Sequence, residues 1–291
     1  PNGEIGEVIA RGPMVMKGYW RREKETAEAK KNGWVARTQT GHPGIKDATW
    51  WNQGITFHPD RLNANNQVMR LTSKTDGTAI NTRHTQICHQ RKYLEGTYAA
   101  RVYFNDKPDY GPDGDGIVET FYAISPLEAP MDKNYSEMDF EYLANGGWGV
   151  NSTALWSTSW ETFQLEPWTK VNDYDTYVKS FQGWNTLVLQ VFDDKIKYYV
   201  NGELYSEHGS DVYPEVAMSM NFNLWFIPEQ LVQTSEMRQY HQEIDWVYFN
   251  ADKNMSYLEV VNEVAGFRAK NIKQKDDVPH WQPKLDSYCG L

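Results

Sequence analysis

Three carboxylates stand at alternate positions in Ser136-Glu137-Met138-Asp139-Phe140-Glu141-Tyr142. On a β-strand, side chains alternate faces with period 2, so Glu137, Asp139 and Glu141 share one face while Met138 and Phe140 turn to the other, toward a core. Like charges placed so closely repel and raise one another's proton affinity, which makes such a row costly unless it has work to do. Acid/base chemistry on a sugar is one such task. A retaining glycosidase needs two carboxyl groups about 5–5.5 Å apart, one as nucleophile and one as acid/base. The outer two acids lie about 13 Å apart at Cα by strand rise, so their side chains must lean across a shared cleft. The middle acid is placed to orient the nucleophile and share a proton with it. The alternative is an exposed edge strand of solvated acids, but the neighbours here are aromatics and glycines instead of lysines.

Those acids need a sheet to hold them, and the chain around them reads as one. From Thr49 to Asn250, short alternating strands are broken by Gly, Pro, Asn and Asp, the pattern of an all-β protein. Asp193-Asp194 and Asn201-Gly202 read as hairpin turns. The chain has 291 residues, 14% of them aromatic, including 12 Trp and 18 Tyr. Aromatics favour strands, and they also stack on the apolar faces of sugars. A net charge of −10 argues against nucleic acid as partner. No apolar run is long enough to span a membrane. Two cysteines, Cys88 and Cys289, make no disulfide scaffold; whether they pair is open at this stage. Asp109, Asp113 and Asp115 fall in a glycine-rich loop but lack the spacing of a twelve-residue calcium loop. His84, Cys88 and His89 match no common zinc spacing, so no metal and no cofactor is expected.

Glu-Met-Asp-Phe-Glu resembles the E-x-D-x-E signature of glycoside hydrolase family 16, the β-glucanase and xyloglucan-transglycosylase group. It lacks the extra residue that some members insert before the last Glu, which places it with the lichenase-like branch. Tyr93–Val102, Gly116–Tyr122, Phe181–Asn185, Tyr198–Gly202, Met220–Trp225 and Ile244–Tyr248 are similar to other family strands. The resemblance covers about residues 48–250. It implies a concanavalin-type antiparallel β-sandwich, or jelly roll, with the acidic strand across the middle of a concave sheet. It also implies a retaining, endo-acting hydrolase of a β-linked glucan-like polysaccharide, with Glu137 as nucleophile, Glu141 as acid/base and Asp139 as assisting acid. Tyr135, Phe121, Tyr122, Trp148, Trp156, Trp160, Trp184 and Trp225 are expected around the cleft, with Asn221 and Asn223 bonding sugar hydroxyls.

Residues 1–44 lie outside that pattern. An alternating strand from Gly3 to Pro13 precedes a charged helix over Arg22–Lys31. This stretch resembles part of adenylate-forming enzymes (acyl-CoA synthetases and adenylation domains), just before their T-G-D motif. Here the motif reads Thr40-Gly41-His42, and the family's phosphate loop and C-terminal lysine region are not visible. Adenylation chemistry is therefore not expected in this chain, though a link to an adenylation-type enzyme is. The expected organisation is a fusion junction over 1–44, the jelly roll over 45–250, and a helix with an extended tail over 251–291. Ser256 reads as the cap of a helix carrying Leu258, Val261, Val264 and Phe267. The chain starts at Pro1 without a signal-like segment, which reads as a fragment or processed product. A polysaccharide hydrolase would be secreted; an adenylation-type fusion would be cytoplasmic. Two alternatives accompany hydrolysis: transglycosylation on the same scaffold, and a sandwich repurposed for a biosynthetic intermediate. A cleft blocked by the 1–44 or 251–291 segment would not pass a polymer and would favour the last.

Overall fold

The computed structural model describes residues 33–251 and 253–289, together with the backbone of Gly6–Ile9. The expected helix over Arg22–Lys31 lies outside the described residues. Sixteen strands occur among those described: β1 (Gly6–Ile9), β2 (Val35–Ala36), β3 (Thr49–Trp50), β4 (Ile55–Asp60), β5 (Asn63–Thr75), β6 (Arg83–Cys88), β7 (Gly96–Phe104), β8 (Ile117–Ile124), β9 (Glu137–Leu143), β10 (Ala154–Gln164), β11 (Thr169–Tyr177), β12 (Gly183–Phe192), β13 (Lys195–Val200), β14 (Glu203–His208), β15 (Ser219–Phe226) and β16 (Arg238–Asn250). One α-helix occurs among the described residues, α1 (Tyr257–Ala269).

The strands form an antiparallel jelly-roll sandwich whose hydrogen-bonded order runs β11-β10-β9-β8-β15-β6-β5-β16-β7-β12-β13-β14. The chain folds over at β6, so β11 to β15 face β16 to β14 across the core. Alternation decides what fills that core. Met138 and Phe140 of β9 point inward with no exposure, and Phe140 meets Tyr198 of β13 edge-on at 5.1 Å. Phe104 stacks on Tyr142 at 4.7 Å. The outer faces of the two sheets are thereby free for different tasks.

Both expected hairpin turns form. Asp193 and Asp194 have φ of 54° and 57°, and Asn201 and Gly202 have 52° and 88°. Positive φ at both central residues is the type I′ turn, whose twist matches the strands it joins. Helix α1 starts where expected, with a capping box between Ser256 and Glu259, but its buried face differs. Val260 and Val264 are buried, while Leu258 is exposed. The buried pair, i and i+4 on one face, packs on Trp246 and Tyr248 at the outer face of the β16 sheet. Cys88 and Cys289 form a disulfide.

Candidate active site

Strand β9 lies between β8 and β10, with Asp139 opposite Tyr122 on one side and Thr158 on the other. Its acids line a groove of about 390 Å³ across the concave face, floored by β15, β8, β9, β10 and β11. The period-2 reading therefore puts all three carboxylates in one place. All are withdrawn from solvent: Glu137 and Asp139 are buried and Glu141 is half-buried.

Different partners separate the three acids. Tyr135 donates its hydroxyl hydrogen to Glu137, and Asp139 hydrogen-bonds with Glu137 as well. Trp160 Nε1 donates to Asp139 Oδ2 at 3.0 Å. Burial raises the proton affinity of each, because a charge loses its hydration there. For Glu137 the rise is to about 7, held back by the two hydrogen bonds it accepts. For Glu141 it is to about 8, from burial and then from the charge of Glu137. Asp139 rises well above the carboxylate range, through burial and then the charges on either side. A protonated Asp139 donating to an ionised Glu137 satisfies all of these contacts.

The groove walls are aromatic. Trp148 lies 5.7 Å from Trp156 and 6.3 Å from Trp225 between ring centroids, and all three line the groove. Tyr122 and Asn223 line it too: Asn223 Nδ2 donates to the Tyr122 hydroxyl at 3.1 Å, and Thr120 Oγ1 donates to Asn223 Oδ1 at 2.7 Å.

Four expected positions lie elsewhere. Phe121 is in the core, stacked on Phe222 at 5.1 Å. Neighbours on a strand face opposite ways, so Phe121 and Tyr122 cannot both line one groove. Trp184 belongs to β12 in the other sheet, where it sits on its outer face against Arg101 and Tyr103. Tyr135 shares the face of Glu137 but is buried beneath it, edge-on to Phe163, so it holds a carboxylate instead of a sugar. Asn221 faces the concave side but is sealed under other chain, with Nδ2 donating to the Ser219 carbonyl at 2.9 Å. Conversely, Trp168, Lys170, Asn172 and Tyr174 line the groove from β11 and its turn without having been expected. Exposed alternation in Lys170-Val171-Asn172-Asp173-Tyr174 was the available signal. The aspartate loop is engaged internally, with Asp115 gripping Arg238 at 2.7 Å through each oxygen.

A concave jelly-roll groove lined by three carboxylates and by aromatics suits a glycoside hydrolase. The chain belongs to the family described as Glycosyl hydrolases family 16, which matches residues 47–249. Solved structures share the fold at low identity. The Bacteroides ovatus mixed linkage glucan GH16 in complex with a G4G4G3G product is 12% identical with a TM-score of 0.59, over 75% of this chain and 95% of that one. The Bacillus licheniformis beta-glucanase is 18% identical with a TM-score of 0.54, over 75% and 91%. The kappa-carrageenase from Pseudoalteromonas carrageenovora is 16% identical with a TM-score of 0.56, over 86% and 96%. Curated relatives of another kind match short stretches. The long-chain-fatty-acid–CoA ligase of Bacillus subtilis is 41% identical over 58 residues, and the feruloyl-CoA synthase of an Amycolatopsis species is 56% identical over 34 residues. The chain spans only 9% and 7% of the lengths of those two proteins.

Proposed function

We propose that the protein is a retaining hydrolase of a β-linked glucan, with residues 45–250 as its catalytic unit. The observation that carries this is the unequal surroundings of the two outer acids. Glu137 accepts hydrogen bonds from Tyr135 and Asp139, which favour its charged form, whereas among the described residues Glu141 has no such donor and its burial beside Glu137 favours the proton. One carboxylate and one carboxylic acid then coexist near neutral pH, as a double displacement requires. Glu141 gives its proton to the glycosidic oxygen as Glu137 attacks the anomeric carbon and the C–O bond breaks. Water then loses a proton to Glu141 and releases the sugar from Glu137, which leaves as a carboxylate. Asp139 keeps its proton against Glu137 and steadies its charge. No cofactor enters either step.

A β-glucan is favoured as substrate because the structural neighbours include proteins named as a beta-glucanase, a lichenase and a laminarinase. The disulfide suits an oxidising, extracellular setting, where such polymers are met. The test is an assay of the full chain on β-1,3-, β-1,4- and mixed-linkage glucans, with reducing ends counted and the first-formed anomer followed by NMR. Release of the β-anomer first is expected. Release of the α-anomer first, or no release from any glucan, would overturn the reading.

A further inference from the structure

The concave face is covered unequally from one edge to the other. At the β11 edge, Trp168 is 56% exposed and Tyr174 49%. At the β15–β6 edge, residues on the same face as the acids are shut away: Asn221 and Cys88 are 0% exposed and Gln86 is 1%. Register locates the change. Asp139 pairs with Tyr122, Tyr122 with Asn221, and Asn221 with Cys88. This row crosses four adjacent strands, and its first two members border the groove while its last two lie under cover.

The cover comes mostly from chain outside the family-matched 47–249. On the N-terminal side, β2 pairs along β6. Arg37 then reaches back, donating to Gln86 Oε1 at 3.1 Å and to the His42 carbonyl at 2.9 Å, with its guanidinium 4.1 Å above the ring of Trp50. That grip sets His42 and Pro43 at the rim of the groove. On the C-terminal side, Cys289 is bonded to Cys88. Tyr288 packs against the cluster of Tyr122, Ile124, Tyr135 and Phe163, and its carbonyl accepts from Ser219 Oγ at 3.1 Å. Ser287 Oγ donates to the Gly33 carbonyl at 2.9 Å, so each segment holds the other. Lys92 pairs with Asp276 and anchors the tail further back.

A sugar chain lying across the strands therefore has about two strand spacings between β9 and this wall, roughly 10 Å, room for about two sugar rings. From β9 toward β11 it meets exposed aromatics and no such barrier among the described residues. We propose that the groove is a chain-end site. A terminus of the glucan enters from the β11 side, abuts the wall of Arg37, His42, Pro43 and Tyr288, and is cut one or two sugars from its end. This rests on the hydrolase reading above and departs from the endo attack that the family resemblance implies. The two terminal segments block one side of the cleft, which by itself would favour a repurposed sandwich, but the open β11 side still admits the end of a polymer.

The experiment compares a linear β-glucan with a cyclic β-glucan of the same linkage, which has no ends. The full chain should release one short product of one or two sugars from the earliest times, with little loss of viscosity, and should leave the ring intact. The wall-opening double variant Arg37→Ala, Cys289→Ser should yield a ladder of products and cut the ring at least tenfold faster than the parent chain. A binding arm needs no wall variant: the Glu137→Gln chain, titrated by calorimetry, should bind a linear oligosaccharide and ignore the ring. An early ladder with falling viscosity from the parent chain, or binding of the ring, would overturn the chain-end site while leaving the hydrolase reading intact. Neither cleavage nor binding of any glucan would overturn both.

Discussion

Two strands of this sandwich carry buried acids at alternate positions, and they do opposite things with them. Glu243-Ile244-Asp245 on β16 has the same acid–apolar–acid spacing as Glu137-Met138-Asp139 on β9. Glu243 accepts from Arg61 Nε at 3.1 Å and Arg70 Nη2 at 2.5 Å. Asp245 accepts from Arg101 at 2.7 Å, and from Arg268 and Asn66 at 2.6 Å each. Burial would raise Glu243, but the hydrogen bonds and charges of Arg61 and Arg70 outweigh it and bring its proton affinity below the ordinary value. The partners of the β9 acids are instead a tyrosine, a tryptophan and one another. With no cation paired to them among the described residues, burial is answered by keeping protons, and a retained proton is what acid catalysis uses. The same sequence spacing becomes a fastener or a reactive site according to whether neighbouring elements supply guanidinium.

The largest effect should come from the same change made on both strands. Glu137→Gln should lower kcat by more than about 10³-fold with its melting temperature kept, because an amide cannot form the glycosyl ester. Glu243→Gln should keep turnover near the parent value while losing about 1–2 kcal/mol. That is less than a fully buried pair is worth, since Arg61 and Arg70 are partly solvated. Steady-state kinetics beside thermal melts decide it. If Glu243→Gln is the inactive variant, or Glu137→Gln the unstable one, the contrast between the strands collapses.

Glu141→Ala should cost about 10²–10⁴-fold on glucans, whose leaving groups need a proton, and far less on activated aryl glycosides. Added azide should restore turnover and give a β-glycosyl azide. Equal damage to both substrates without rescue would make Glu141 a structural residue.

Stability should follow the protons. Glu137 and Glu141 titrate near 7 and 8 in the folded chain, against about 4.3 unfolded. A raised folded value means the native state holds protons longer. Its contribution is complete below about pH 4 and is lost as pH climbs through 7 and 8. The parent chain should therefore weaken between pH 5 and pH 9, and Glu141→Gln should weaken less, by about 1–3 kcal/mol at the alkaline end. Parallel pH–melting curves for the two chains would contradict that placement of charge.

The smallest effects separate holding a carboxylate from holding a sugar. Trp225→Ala should raise KM several-fold, a loss of about 1 kcal/mol of stacking, with kcat little changed. Tyr135→Phe removes a hydrogen bond to ionised Glu137. It should move the acidic limb of the kcat/KM profile upward by about one pH unit and leave KM alone. A rise in KM from Tyr135→Phe, with no movement of the limb, would return Tyr135 to the sugar platform.

Much of the site was legible locally. Alternation placed Glu137, Asp139 and Glu141 together, and it would have excluded Phe121 once Tyr122 was accepted, since the two are sequence neighbours. Trp184 was beyond its reach: Gly183–Phe192 reads as a strand, but nothing local says which sheet it joins. Asn221 and Asn223 show the same boundary more finely. Both share one face of β15, yet only the second remains in the groove, because the C-terminal tail is fastened at the first one's end of the strand, through Cys88–Cys289 and the Ser219–Tyr288 hydrogen bond.

The residues alone thus determined the strands, the shared face of the three acids and the two I′ turns, because each follows from the period-2 backbone or from the φ preferences of Asn, Asp and Gly. The wall across one end of the groove, and the lack among the described residues of a cation paired with the β9 acids where those of β16 have several, were decided only by the tertiary structure. Both depend on segments far apart in the chain: Cys88 and Cys289 lie 201 residues apart, and Arg61 reaches Glu243 across 182. Such contacts exist only in the closed sandwich, where buried charges and unpaired backbone groups take whichever partners the packed sheets bring within reach.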